Sequence, residues 1–447
     1  MQKIYYGEQT KNALDNFISS SLNFDFIKAF AEVKKATISA IQEYNGYFKQ
    51  EIFDCIIEAI NKIIYGELNS NFVLSLQQGG AGTSINMNFC EVIANFSKEL
   101  YKEKYNEEVN IDPLEDINRY QSTNDLFPTA VTIVVYRHLI EIENLVIKLQ
   151  EALVKKETEY SNILITGRTE LQSALPITLG QVFGGWAGSI ERDRWRLNKL
   201  KERIKTIALG GTALGTCFFA PQEYIFIAER KLREITGLPL CRSQNLVDEI
   251  SNLDKYVELS NGYKTLANNL FKITGDLLLY TSSFINEIKH PHLQYGSTIM
   301  AAKVNPVILE FVRGLAIEIE GECYKIEQYA KIGQLQLNAF LPFVIDCFIK
   351  IYSYIKLAIN SFINKFLNRM EINNEKIEKN LLNSNILLNS LIPELGYNEV
   401  KRLFILAQDL EIRTIEEFKE FVIKNSTLNR EKIDKLIDPI VLTSSLK

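Results

Sequence analysis

The stretch RHLIEIENLVIKLQEALVKK, residues 137–156, decides the fold class. Its apolar residues fall at Leu139, Ile142, Leu145, Val146, Leu149, Ala152 and Leu153. Steps of three and four residues place them on one side of a helix, with charged side chains on the other. Outward from this stretch, residues 187–209, 222–236, 256–287, 304–332 and 337–369 carry the same periodicity. Strand-like alternation bounded by turn residues is scarce. The prediction is an all-α chain whose middle is a bundle of unusually long helices.

The chain has 447 residues, 46% hydrophobic and 23% charged, enough apolar material for a large core. Length favours two to three domains. The texture of the sequence suggests three: a helical segment over 1–118, the long-helix bundle over 119–370, and a polar, Asn-rich stretch with shorter helices over 371–447. A net charge of −5 shows no basic excess, which argues against nucleic acid as a partner. No apolar run reaches the roughly 18 residues of a membrane-spanning helix. The start, MQKIYYGEQT, lacks the apolar core of a signal peptide. Cys55, Cys90, Cys217, Cys241, Cys323 and Cys347 form no C-x-x-C pair and read as buried thiols of a reducing compartment. A cytoplasmic protein with no membrane partner is expected. His290 and His292 form an H-x-H pair without nearby further ligands, so it reads as loop and not as a metal site.

Four polar stretches interrupt the apolar pattern: QQGGAGTSINMN (77–88), QSTND (121–125), TGRTELQSALP (166–176) and GSTIMAAKVNPV (296–307). Each has an ordinary reading. The first is a Gly-rich turn without the Lys-Ser/Thr ending of a P-loop. QSTND suits a loop with a helix N-cap, and TGRTELQ a cap followed by a solvated helical face. In the fourth, Ser297 suits an N-cap after Gly296.

Taken together and in this order, the four stretches resemble the aspartase/fumarase superfamily, and its aspartate ammonia-lyase branch most closely. Residues 296–305 fit the family fingerprint G-S-x-x-M-x-x-K-x-N at every fixed position. IYYGEQT near the start, LGGTALGT (209–216), GQLQLN (333–338) and the run from Asp276 to Glu310 extend the likeness. It covers about residues 4–370 well and the C-terminal segment loosely.

The resemblance implies a three-domain all-α fold and a homotetramer whose central helices form a multi-helix core. Each active site would be assembled from several chains. It implies elimination of an amine from a small dicarboxylate or amino-acid substrate to give fumarate, with no metal or organic cofactor. Abstracting a proton beside a carboxylate produces a doubly charged aci-carboxylate, which preorganised donors must stabilise. The family likeness assigns hydroxyl donors to Thr83, Ser122 and Thr123, with Thr298 a fourth. It places Asn124 near the amine, and Lys303 and Asn305 on the other carboxylate with help from Thr169. The resemblance makes Ser297 the expected general base, on a loop that in the family closes over substrate.

The sequence departs from the family at several points. SSFINEIKHPHLQYGS (282–297) skips a Gly-Pro-Arg-Ala-Gly-like segment and is a few residues shorter. Glu170 stands where the family has His or Gln, while the partner carboxylate is present as Glu310. Two facing carboxylates need a proton or a cation between them. A cationic amine end of the substrate would fill that need. NIDPLEDINRYQSTND (110–125) lacks the His of the fumarases' secondary carboxylate segment, so no such site is expected. Ala301 replaces a usual Pro outside the required positions. The alternatives are fumarate hydration, disfavoured by the missing His at 170, and a non-catalytic structural member of the superfamily, disfavoured by retention of Ser297, Lys303 and Asn305.

Overall fold

The computed structural model describes residues 3–408, 410 and 412–443. Helices dominate it. In chain order they are α1 (Glu8–Asn16), α2 (Phe24–Asn45), α3 (Gln50–Ile64), α4 (Thr83–Tyr105), α5 (Thr123–Glu159), α6 (Leu179–Ile204), α7 (Gln222–Thr236), α8 (Leu246–Ser251), α9 (Asp254–Tyr280), α10 (Val307–Lys331) and α11 (Leu341–Ser361). The C-terminal segment adds α12 (Asn374–Asn383), α13 (Ile392–Leu395), α14 (Tyr397–Ala407), α15 (Ile415–Asn425), α16 (Arg430–Leu436) and α17 (Pro439–Thr443). The strands are short: β1 (Leu164–Thr169), β2 (Gln172–Thr178), β3 (Thr206–Ile207), β4 (Cys241–Arg242), β5 (Ile288–Lys289) and β6 (Glu371–Ile372). They form two-stranded pairs, with β1–β2 and β5–β6 antiparallel and β3–β4 parallel.

The stripe read from residues 137–156 lies within α5. Leu139, Ile142, Leu145, Val146, Leu149 and Leu153 are buried, and only Ala152 is half-buried. The other long helices appear where periodicity placed them, with ends shifted by up to eight residues. TGRTELQSALP, read as a cap and a helical face, is instead the β1–β2 hairpin.

The chain divides into two compact units. Residues 1–143, 195–265 and 318–355 form the first; 144–194, 266–317 and 356–447 form the second. In the first, α2 packs on α7 and α3, α3 on α4, and α4 on α1. The carboxylate of Glu91 on α4 gathers the N-terminal IYYGEQT segment. It accepts from the backbone N–H groups of Gly7 (2.8 Å), Gln9 (2.8 Å) and Thr10 (3.2 Å), and from the Thr10 hydroxyl (2.6 Å). Those N–H groups lie where α1 begins and would otherwise be unsatisfied. In the second unit, α12 packs on β1 and α17 on β2. A separate apolar cluster there runs from Leu381 through Leu388, Leu403 and Val422 to Ile433.

Candidate functional site

The site residues expected from sequence divide between the units. Thr83, Ser122, Thr123 and Asn124 belong to the first; Thr169, Glu170, Ser297, Thr298, Lys303, Asn305 and Glu310 belong to the second.

In the first unit, QQGGAGTS is a turn with successive left-handed residues: Gly80 (φ 86°), Ala81 (φ 58°) and Gly82 (φ 91°). Gly82 meets two demands. Its φ is costly for other residues, and a Cβ there would lie 2.3 Å from Cδ2 of Phe127. This close approach seats the first residue of α4, Thr83, beside the first turns of α5. Asn86, one turn into α4, donates from Nδ2 to the Thr123 hydroxyl and to Asn118 Oδ1, both at 3.1 Å. Because Thr123 accepts this bond, its own hydroxyl proton is free to be donated elsewhere.

The start of α5 is a capping box. Ser122 Oγ accepts from the Asn124 N–H (3.2 Å), while Asp125 Oδ1 reaches back to the Ser122 N–H (2.9 Å). The N-cap reading of QSTND therefore holds, and the cap itself sets the hydroxyls. Asp125 Oδ2 also accepts from the N–H groups of Gly210 (3.1 Å) and Thr212 (3.2 Å), and Asn124 Nδ2 donates to the Ala213 carbonyl (2.8 Å). LGGTALGT is thus folded onto these residues. Burial pushes the Asp125 carboxyl up to about 6, against the pull of its backbone donors and of Lys34.

Sequence reading missed the support beneath this cluster. Lys34 is fully buried on α2, with acceptors at Cys90 Sγ (3.2 Å), Asn118 Oδ1 (3.0 Å) and Gln121 Oε1 (3.1 Å), one for each ammonium proton. Burial lowers its pKa. The signal was a lysine on the apolar face of VKKATISA, next to Phe30, Ala31, Thr37 and Ile38.

In the second unit, residues 296–305 form a loop closed on itself. The Gly296 N–H donates to the Lys303 carbonyl (2.9 Å), and Asn305 Nδ2 donates to the Gly296 carbonyl (2.8 Å). A Cβ on Gly296 would lie 2.5 Å from the Lys303 carbonyl oxygen. Within this loop the half-buried Ser297 accepts on Oγ from the N–H groups of Ile299 (3.2 Å) and Met300 (2.9 Å). Thr298 and Lys303 are exposed, and the Lys303 ammonium has no hydrogen-bond or ion-pair partner among the described residues. Asn305, the expected carboxylate ligand, spends one of its two amide protons on this clasp. Glu310 is exposed in the first turn of α10, a favourable place for a carboxylate.

Thr169 and Glu170 are exposed at the tip of the β1–β2 hairpin, where Thr169 pairs with Gln172. The two-residue turn has positive φ at both Glu170 (52°) and Leu171 (63°), a geometry that normally selects Asn-Gly. A cavity of about 620 Å³ in this unit is lined by Arg168, Trp186, Arg192, Lys272, Asp276 and Tyr280, among others, and not by Ser297, Lys303 or Asn305. No group of three or more His, Cys, Asp or Glu side chains among the described residues could hold a metal ion. No helix among them is long and apolar enough to cross a membrane.

Comparison with known proteins places the chain in a family. The lyase family model matches residues 2–321. The chain is 35% identical over 444 residues to aspartate ammonia-lyase of Bacillus sp., covering 98% of this chain and 94% of that one. It is 32% identical over 440 residues to aspartate ammonia-lyase of Escherichia coli K12, covering 97% and 91%. Among solved structures it superposes on fumarate lyase:delta crystallin from Brucella melitensis bound to cobalt, with TM-score 0.89, 32% identity and coverage of 98% and 96%. It also superposes on class II fumarase from Schistosoma mansoni, with TM-score 0.88, 25% identity and coverage of 99% and 96%. The chain belongs to the lyase family of the aspartase/fumarase superfamily and is an ammonia-lyase-type carbon–nitrogen lyase.

Two outcomes follow from this geometry. Gly296→Ala forces the loop open at its base, so turnover should fall by roughly 10²-fold while the thermal midpoint stays at the wild-type value. Wild-type turnover in that variant would mean that loop closure is not needed. For Asp125, the folded value of about 6 lies above the ordinary 3.8. Between the two the folded chain holds a proton that the unfolded chain has released. This contribution to stability is present at low pH and is lost as pH rises through about 6. Asp125→Asn should therefore flatten the fall in urea midpoint between about pH 4.5 and about pH 7; an unchanged slope would place the titration on another group.

Proposed function

We propose that the protein eliminates ammonia or a substituted amine from aspartate or an N-substituted aspartate, releasing fumarate. The observation that carries this reading is the environment of Ser297. A serine hydroxyl is a poor base unless its alkoxide is stabilised. Two backbone N–H groups point at Ser297 Oγ, at 2.9 and 3.2 Å. Hydrogen bonds to a charged acceptor contribute about 1.5–3 kcal/mol each, so both favour the deprotonated form. The unpartnered Lys303 ammonium in the same loop adds a cation. Loop closure over substrate would expel water and strengthen each of these interactions.

In this reading Ser297 takes the proton from the carbon beside one carboxylate. Thr83, Ser122, Thr123 and Thr298 donate to the aci-carboxylate that develops. Lys303, Asn305 and Thr169 hold the second carboxylate, and Asn124 lies near the amine. Glu170, paired with Glu310, accepts the positively charged leaving end. A carboxylate at the hairpin tip suits an ammonium or a larger basic nitrogen group better than a neutral hydroxyl, which ranks hydration of fumarate second.

Assembly completes the site. On α10 the outward face carries Phe311 (43% exposed), Ile317 (59%) and Tyr324 (59%). Between them lie Gly314 and Gly321, where a Cβ would meet nothing within 4 Å. An apolar helical stripe with glycines seven residues apart fits close contact with helices of other copies. We propose a cytoplasmic homotetramer built on that face, with sites shared between chains, and with residues 1–118, 119–370 and 371–447 as its three domains.

A single assay decides among the reactions. The purified chain is given aspartate, malate and a series of N-substituted aspartates, and fumarate absorbance is followed. Fumarate from an amine substrate is expected, and from malate alone would overturn the reading. Ser297→Ala should lower kcat by roughly 10²–10⁴-fold. Glu170→Gln should raise KM for the amine substrate by about 10-fold; unchanged kinetics there would remove Glu170 from the leaving-group site.

A further inference from the structure

Glu287 is fully buried at the stem of the loop that carries Ser297. Arg168 forks onto it, Nη2 to Oε1 at 2.6 Å and Nη1 to Oε2 at 3.1 Å, while Nη1 also donates to the Thr166 carbonyl (2.9 Å). Arg168 directly precedes Thr169 and Glu170. The β1–β2 register is interrupted between Thr166 and Arg168, and irregularities of this kind re-aim a side chain. A third partner comes from α12: Asn380 Nδ2 donates to Glu287 Oε1 (2.9 Å) and to the Ile285 carbonyl (2.8 Å).

The backbone around Glu287 is held as firmly. The Asn373 N–H donates to the Glu287 carbonyl (3.0 Å), and Asn373 Nδ2 to the Asn286 carbonyl (3.0 Å). Ile288 and Lys289 pair with Ile372 and Glu371. Beyond Lys289 the loop is largely exposed, with Tyr295 and Ile299 each 90% exposed. The loop therefore has a fixed stem, and the stem is tied by a two-pronged charged contact to the hairpin.

A hairpin needs no buried charge to stay in place; apolar contact would serve at lower desolvation cost. What the bidentate contact adds is orientation, because both prongs bond only at one angle. We propose that Arg168, Glu287 and Asn380 are a positioning unit that sets the hairpin tip, with Thr169 and Glu170, against the stem of the Ser297 loop. This rests on the reaction proposed above. None of the three touches substrate. They fix where the amine end is held relative to the hinge about which the base moves, so that closure beyond Lys289 brings Ser297 to one place only.

The test uses the full-length chain with Arg168→Lys, Glu287→Gln and Asn380→Ala. Asn380→Ala leaves the ion pair intact and covers the case in which the other variants fold poorly. Hydrogen exchange is read on peptides spanning 164–178 and 285–306, with 83–105 as a control. Each variant should speed exchange in both segments together, by about 10-fold, without change in the control. Faster exchange only in the mutated segment would overturn the proposal. Kinetics supply the second reading: kcat should fall by roughly 10–10²-fold with KM within about two-fold of wild type. A rise in KM at constant kcat would overturn it as well. If the wild-type chain turned over no succinyl compound, the reaction would be wrong, and the exchange measurement would still decide whether hairpin and loop are coupled.

Discussion

Asp125 accepts backbone N–H groups from Ser122, Gly210 and Thr212 in a place closed to water. A carboxylate buried in this way costs several kcal/mol unless its lone pairs are filled, and charge-assisted N–H bonds fill them. The same bonds decide what surrounds it. They keep Ser122 as the N-cap of α5, hold Thr123 in the first turn and draw LGGTALGT across Asn124. Glu91 does for the N-terminal segment what Asp125 does for this one, and Glu287 does it for the hairpin and the loop stem. Three buried carboxylates thus organise the irregular segments that the long helices leave between them.

This arrangement explains which parts of the chain were legible in its sequence. The long helices were, since a stripe such as Leu139–Leu153 needs only the helical period and an apolar core. The hairpin was not. Its turn, Thr169-Glu170-Leu171-Gln172, has neither Asn nor Gly, and its strands do not alternate cleanly, so local preference pointed to helix. It exists because α12 and α17 pack on it and Arg168 reaches a buried partner, which are tertiary causes that no local window contains. The loop at 296–305 was recognisable as a motif, but its internal closure through Asn305 was not. A side-chain amide has two protons to donate, and the letter does not show that one of them goes to a carbonyl nine residues back.

Lys34 shows a third case. A lysine on an apolar helical face is visible in sequence, yet its partners Cys90, Asn118 and Gln121 lie far along the chain. Its acceptors are a thiol and two side-chain amides, and burial lowers its pKa. Through Asn118 and Asn86 it is linked to the Thr123 hydroxyl. On the proposed reaction, an ammonium at Lys34 behind the Thr123 hydroxyl would favour a dianionic intermediate in front of it, and that intermediate would in turn favour the proton that burial disfavours.

The turn that carries Glu170 sharpens the same point for the leaving group. Two non-glycine residues in left-handed conformation cost of order 1 kcal/mol each or more. Such strain persists only where the surroundings over-determine the backbone, and here the hairpin is pinned beside its turn by Arg168 and packed by C-terminal helices. The carboxylate at its tip therefore projects from a rigid element. On the proposed reading the two ends of the substrate meet different mechanics: the proton is removed from a loop that moves, and the nitrogen is received by a turn that does not. Discrimination among amines then belongs to the fixed end, where a misplaced group cannot be accommodated by adjusting the lid, and the shortened loop is left to govern access and closure.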